Sequence, residues 1–190
     1  MRGEWVGRWT GRTVVCIASG PSLTKEDCET VRISGHPVIV TNTTFRMCPW
    51  ADALLAHDGK WWKEYRKEVE ATFKGDRLTC SSAGAQYGAK SLLYQAWYQP
   101  AGNSGASAVS LAVSAGAAKI VLLGFDCQKT GGRVHWHGDH PASLGNARTI
   151  ANWPKQFEAV SRITKGIDVI NCSRQTALTC WPRGDLAESL

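Results

Sequence analysis

Apolar positions in this chain come in short unbroken runs, separated by stretches whose apolar residues recur at helical spacing. Thr13–Ala18 (TVVCIA), Pro37–Thr41 (PVIVT), Ala51–Ala56 (ADALLA), Ile120–Leu123 (IVLL) and Ile167–Asn171 (IDVIN) are the clearest runs. Continuous rather than alternating runs of this length predict strands covered on both faces, as in a parallel sheet. Arg77–Cys80 reads as a further strand. Lys60–Phe73 carries Trp61, Tyr65, Val69 and Phe73 on one face of a helix. Trp153, Phe157 and Val160, with Thr164 behind them, mark a later amphipathic helix with Pro154 suited to its first turn. Thr24 and Asp27 have the spacing of a capping box. Ser81–Pro100 has no assignable period, and the tail SRQTALTCWPRGDLAESL ends in a short helix-like segment.

The alternation of strands and helices predicts an α/β fold: a Rossmann-like, mostly parallel sheet with helices on both faces. A chain of 190 residues suits one domain and is short for two. The organisation expected is an N-terminal arm over residues 1–12, anchored by Trp5 and Trp9, followed by a single domain over 13–190.

One stretch, Gly102–Gln128 (GNSGASAVSLAVSAGAAKIVLLGFDCQ), carries a capped helix, a stop and a buried strand in succession. Asn103 or Ser104 can cap the helix, since a short oxygen-bearing side chain accepts from first-turn amides. Gly105 and Ala106 leave that turn bare, and a bare helix N-terminus favours anions. Gly116 supplies a left-handed stop, and the strand that follows ends at Asp126. The competing reading is a helix whose small residues serve only close packing.

Composition narrows the classes. With 43% hydrophobic and 20% charged residues the chain is globular, and its apolar runs are strand-sized, so no membrane span is expected. The first twelve residues lack the apolar stretch of a secretory signal. Seven cysteines without a C-x-x-C pair, several in the predicted strands (Cys16, Cys80, Cys127, Cys172), suggest buried thiols of a reduced, cytoplasmic protein. The net charge of +6 favours an anionic ligand, but basic residues are interleaved with acidic ones as in KEYRKEVE. That pattern does not track a nucleic-acid backbone.

Polar residues recur where strands end: Ser19-Gly20-Pro21-Ser22, Asn42, His57-Asp58 and Asp126. In a parallel sheet all four lie at the same edge, the edge at which open α/β sheets bind ligands. The Ser19–Ser22 loop lacks the lysine of a P-loop and the G-x-G-x-x-G spacing.

These motifs carry a resemblance. VVCIASGPSL, VIVTNTTF and GNSGASAVSLAVSAGAAKIVLLGFD are similar to bacterial family-42 sialyltransferases and their DUF115-type relatives. Those relatives include 6-hydroxymethylpterin diphosphokinase-like proteins and short phage or prophage forms, whose ends the tail also resembles. The resemblance runs from about Thr13 to the C-terminus. It implies a nucleotide or nucleotide-sugar as partner, with Ser19, Gly20, Pro21, Ser22, Asn42, Asn103, Ser104 and Gly105 around a CMP-like moiety. It further implies Asp58, less closely His57, at the end of the third strand, and Asp126 as the aspartate of LGFD. The reaction implied is transfer of a sugar from a CMP-sugar-like donor to a hydroxyl acceptor. Diphosphate transfer from ATP is the alternative, with Mg²⁺ on Asp58, Asp126 and Asp139, and a non-enzymatic phage module that sequesters a nucleotide is a third reading. The acceptor, and whether the chain forms a homo-oligomer, stay open. The chain departs from the sialyltransferase pattern at Ser19 (asparagine there), Ala101 (arginine) and Gln128 (tyrosine), and its lid region is shorter.

His135-Trp136-His137-Gly138-Asp139-His140 is the most chemically suggestive hexapeptide. Its H-x-H-x-D-H form matches a metallo-β-lactamase-like motif, but no histidine follows His140 to complete such a site. A lone divalent ion on two or three of these histidines, with Cys127, lacks a second anchored ligand pair. Acid–base chemistry is the third reading. The resemblance places a general base in the loop after this strand, and His137 or His140 is the candidate, imidazole having a pKa near working pH. The loop's histidines and Trp136 could equally serve only to fasten it.

Overall fold

The computed structural model describes residues 4–190. Seven strands form one sheet: β1 (Thr13–Ile17), β2 (Val38–Thr41), β3 (Ala53–Leu55), β4 (Asp76–Thr79), β5 (Lys90–Ser91), β6 (Lys119–Leu123) and β7 (Asp168–Asn171). Their order is β5-β4-β3-β2-β1-β6-β7, and every neighbouring pair is parallel. The sheet is therefore wholly parallel rather than mostly so. Successive strands proceed outward from β1 as far as β5, and the chain then returns to the other side of β1 with β6. The crevice between the carboxyl ends of β1 and β6 is thus a topological switch point, where doubly wound sheets place ligands.

Alternating strand residues feed two cores. Val14, Cys16, Ile39, Leu55, Ile120 and Leu122 face one layer, with helix α4 (Ser104–Ser114) and helix α5 (Trp153–Ser161) packed on it. Val15, Ile17, Val40, Leu54, Val121 and Leu123 face the other, under α1 (Lys25–Ser34) and α2 (Gly59–Thr72). Burial on both sides is why these strands read as unbroken apolar runs. Burying each such side chain contributes about 1.5–3 kcal/mol.

The local signals resolve well. Thr24 and Asp27 form both bonds of the capping box at the start of α1, and Pro154 sits in the first turn of α5. The unassigned stretch 81–100 contains a single-turn helix, α3 (Ser82–Ala85), and the two-residue strand β5. A last short helix, α6 (Leu186–Ser189), closes the tail.

Residues 4–12 are built into the fold. Trp5 and Trp9 are buried. The amides of Gly7, Trp9 and Gly11 donate to the carbonyls of Ser114, Ala115 and Gly116 at 3.2, 2.7 and 3.0 Å. Carbonyls at a helix C-terminus have no partner within the helix, so this arm finishes α4 and holds its opposite end steady. Gly116 adopts φ +83° here, as its place after the helix predicted.

The cysteines differ from expectation in position. Only Cys16 lies within a strand, whereas Cys80, Cys127 and Cys172 sit one to four residues past strand ends. All seven are free thiols. No helix is long and apolar enough to cross a membrane among the described residues.

Candidate functional site

The carboxyl edge of the sheet carries two adjoining clefts. The smaller is lined by Ser19, Gly20, Asn42, Asn103, Ser104, Gly105 and the rings of Phe125, Trp153 and Phe157, among others. The larger takes in His57, Asp58, Lys60, His140 and Arg148. Asn42, Asn103, Ser104, His135 and Trp153 line both. Residues read from three separate strand ends (Ser19 and Gly20, Asn42, His57 and Asp58) and one helix start thus share one surface.

At the start of α4 the cap is Asn103, not Ser104. Its Oδ1 accepts from the Ala106 amide at 2.9 Å, and its Nδ2 donates to Gln156 Oε1 at 2.6 Å. The amides of Ser104 and Gly105 find no acceptor among the described residues. Two N–H groups without an acceptor thus lie at the positive end of an eleven-residue helix, in Ser104, which lines both clefts, and Gly105, which lines the smaller one.

Ser104 has a different task from the one expected. Its Oγ accepts from the His57 amide at 3.1 Å and donates to Asn42 Oδ1 at 3.2 Å. One turn on, Ser107 Oγ lies 2.6 Å from His57 Nε2 and accepts from the Ala101 amide at 3.0 Å. These bonds tie the ends of β2 and β3 to α4. Asn42 holds φ +49°, a left-handed conformation that asparagine tolerates better than other residues with a side chain. Burial keeps His57 below the usual imidazole range, with the nearby Asp58 charge opposing. Asp58 begins α2 without a side-chain cap bond and is the one carboxylate among the residues lining either cleft.

Three of the expected ligands are elsewhere. Ser22 and Asp126 bond to each other, and neither they nor Pro21 line a cleft. Asp126 is almost completely buried. It accepts from Ser22 N at 3.0 Å, Ser22 Oγ at 2.7 Å and Thr130 Oγ1 at 3.0 Å. Burial raises its carboxyl pKa while these donors pull it back down. The bonds take up three of the carboxylate's roughly four acceptor sites and the side chain is buried, so Asp126 serves as a clasp between loops.

The histidine loop hangs over the edge, as its position after Asp126 predicted. The amide of Trp136 donates to Ser19 O at 3.1 Å, fastening the loop to the end of β1. His140 lines the larger cleft; its Nδ1 is 3.2 Å from the Tyr65 hydroxyl, and its amide donates to Asn146 Oδ1 at 2.7 Å. His137 lines neither cleft. His135, which the resemblance did not single out, lines both. Its periodic neighbours gave no signal, because loop residues have no burial pattern to read. Burial lowers all three, His135 to about 4 and His137 to about 3, and the close neighbour His140 adds to both shifts. The rings are neutral at physiological pH and can accept a proton.

Phe125, Trp153 and Phe157 were also missed as site residues; the helical spacing of Trp153 and Phe157 marked that pair as core, and all three line the smaller cleft. Lys60 and Arg148 bring unpaired positive charge to the larger cleft, with no carboxylate within salt-bridge distance among the described residues. No family model, curated protein or solved structure matches the chain.

Proposed function

We propose that this protein is a nucleotide-binding transferase resembling the family-42 sialyltransferases, moving a sugar from a CMP-sugar-like donor to a hydroxyl acceptor. The observation that carries the reading is the bare start of α4. Its Ser104 and Gly105 amides, free of any acceptor, belong to residues that line the smaller cleft together with the Ser19-Gly20 loop, Asn42 and three aromatic rings. A phosphate suits the amides, and a base or sugar suits the aromatic walls.

In this reading the smaller cleft holds the nucleotide end, and the larger one takes the transferred group and its acceptor. Leaving-group charge develops on the phosphate, and preorganised amides stabilise it without reorganising. Lys60 and Arg148 add positive charge on the acceptor side. His140 is the better placed of the two candidate bases, since it opens on the larger cleft and His137 does not. Its neutral ring can take the acceptor's proton. Departures from the sialyltransferase pattern at Ala101 and Gln128 leave those two contacts to other groups.

A Mg²⁺-dependent diphosphate transfer draws less support, because Asp58 alone offers a carboxylate to the clefts while Asp126 is engaged elsewhere. Calorimetry with CMP, CMP-sugars and ATP, followed by phosphorus NMR for turnover, tests the proposal. Binding of CMP with release of CMP from a CMP-sugar is the expected result. Binding without turnover would make the protein a sequestering module, and no binding of any of these ligands would remove the reading altogether.

A further inference from the structure

His135, His137 and His140 bring three imidazole rings together beside the larger cleft. Their centroids are 5.1 Å apart for His135–His137, 5.0 Å for His135–His140 and 4.6 Å for His137–His140. His137 Nε2 is shut off from solvent and has no hydrogen-bond partner. An orphaned buried polar nitrogen costs about 1–3 kcal/mol and calls for an unseen partner, either water or an ion.

We propose that these three histidines bind a divalent transition-metal ion of the zinc, cobalt or nickel class, with a fourth position open to the larger cleft. Metal–nitrogen bonds of about 2.0–2.1 Å in a tetrahedral site put imidazole centroids roughly 5 Å apart. The observed spacings fall close to that separation. The ring nitrogens are not yet aimed at a common point: no three ligand side chains among the described residues converge as they stand, and the His135 and His137 planes are within 10° of parallel. The torsion that turns an imidazole is broad and shallow, and the proposal requires the three rings to turn about it until their nitrogens converge.

The surroundings fit. Tyr65 Oη lies 3.2 Å from His140 Nδ1, so a proton on Nδ1 donated to the phenol leaves Nε2 as the free ligand. Such outer partners orient metal-bound histidines. Arg46, whose positive charge reaches His137 and His140, is paired with Glu68 through bonds of 2.6 and 2.7 Å. The charges of Asp58 and Asp139 also reach the cluster. Three imidazoles suit zinc-class ions better than Mg²⁺ or Ca²⁺, which demand oxygen. Because His135 and His140 line the larger cleft, a ligand or water there can take the fourth position. The inference is independent of what the smaller cleft binds, but a bound ion would occupy His140 Nε2 and so take the place of the general-base role given to that ring.

The full-length protein, stripped with chelator and kept reduced, is titrated with Co²⁺ and Zn²⁺ while visible absorption and histidine-ring NMR signals are followed. The expected result is one ion per chain and a tetrahedral Co²⁺ spectrum without thiolate charge transfer. Ring signals of His135, His137 and His140 move, and those of His36 stay. His137→Asn and His140→Asn each weaken binding by more than about tenfold, and Tyr65→Phe weakens it by about tenfold or more. The NMR on the unmodified chain decides the matter if a variant fails to fold. Absence of stoichiometric binding would mean that His137 faces a trapped water, and it would overturn the proposal. A thiolate signature, or affinity unchanged in the histidine variants, would overturn it equally.

Discussion

Ser22 Oγ donates to Asp126 Oδ1 at 2.7 Å, across 104 residues of sequence. Both residues belong to motifs that point to ligand binding, yet they satisfy each other and close the switch point between β1 and β6. Gly20 lies inside this clasp. Its amide donates to Gly124 O at 2.8 Å, and a Cβ added to it would overlap Asp126 Oδ1 and the Gly124 carbonyl. Gly20→Ala is therefore expected to destabilise the fold by about 1–3 kcal/mol through overpacking against backbone, read by urea denaturation. A change below about 0.5 kcal/mol would show that the two loops part easily, and the clasp would not be the reason for this glycine.

The second structural knot is Ser104. Ser104→Ala leaves the His57 amide and Asn42 Oδ1 without this partner in a mostly buried setting. A loss of about 1–3 kcal/mol is expected. Asn42→Val adds the cost of a branched side chain at φ +49°, whereas Asn42→Gly avoids it. The order of melting temperatures should be wild type, then Asn42→Gly, then Asn42→Val. If the valine variant melts with or above the glycine variant, the left-handed geometry at Asn42 does not matter.

How far the sequence revealed this arrangement depended on the kind of signal. Strands β1, β2 and β6 were legible because burial on both faces leaves no polar residue in the run. The cap at Asn103, the box at Thr24 and the stop at Gly116 were legible because each answers a backbone need within four residues. The convergence of Ser19, Asn42 and Asp58 followed from the parallel sheet alone, whereas Asp126, expected with them, lines neither cleft. What could not be read was who bonds to whom among those polar residues. Ser22 with Asp126, and Ser104 with His57, are pairings across 104 and 47 residues, set by how loops fold back over the edge. Aromatic residues that form both core and cleft wall, such as Phe157, look identical to core in a linear pattern. His135 differs from His137 only by which way the loop turns.

His57 gives a pH dependence whose sign follows from its burial. Its folded-state pKa is lowered, so the unfolded chain binds the proton first, near the usual value of about 6.5. The stability this neutral histidine supports is complete above that pH. It is lost as pH falls below about 6.5 and on through the lower folded-state pKa. In metal-free buffer, wild type is expected to lose stability between pH 7.5 and pH 5.5, and His57→Gln should lose less over the same interval. The difference between the two slopes isolates His57 from the loop histidines, whose shifts have the same sign. Equal slopes would mean that His57 reaches solvent freely enough to protonate in the folded state.

Asn103→Asp separates anion binding from helix capping. Aspartate caps as well as asparagine, so Oδ1 can still accept from the Ala106 amide. Gln156 can turn its amide to donate where it now accepts. A negative charge near the start of a helix also interacts favourably with the dipole. Stability should therefore stay within about 0.5 kcal/mol of wild type. The same carboxylate lines both clefts and faces the free Ser104 and Gly105 amides, where it competes with and repels a phosphate. CMP affinity, measured by calorimetry, is expected to fall by about tenfold or more, which corresponds to roughly 1.4 kcal/mol. The loss should shrink as salt is raised, since the repulsion crosses a solvent-filled cleft. Unchanged CMP affinity in a variant of unchanged stability would mean that the phosphate does not approach the start of α4, and the nucleotide would have to lie elsewhere along the sheet edge.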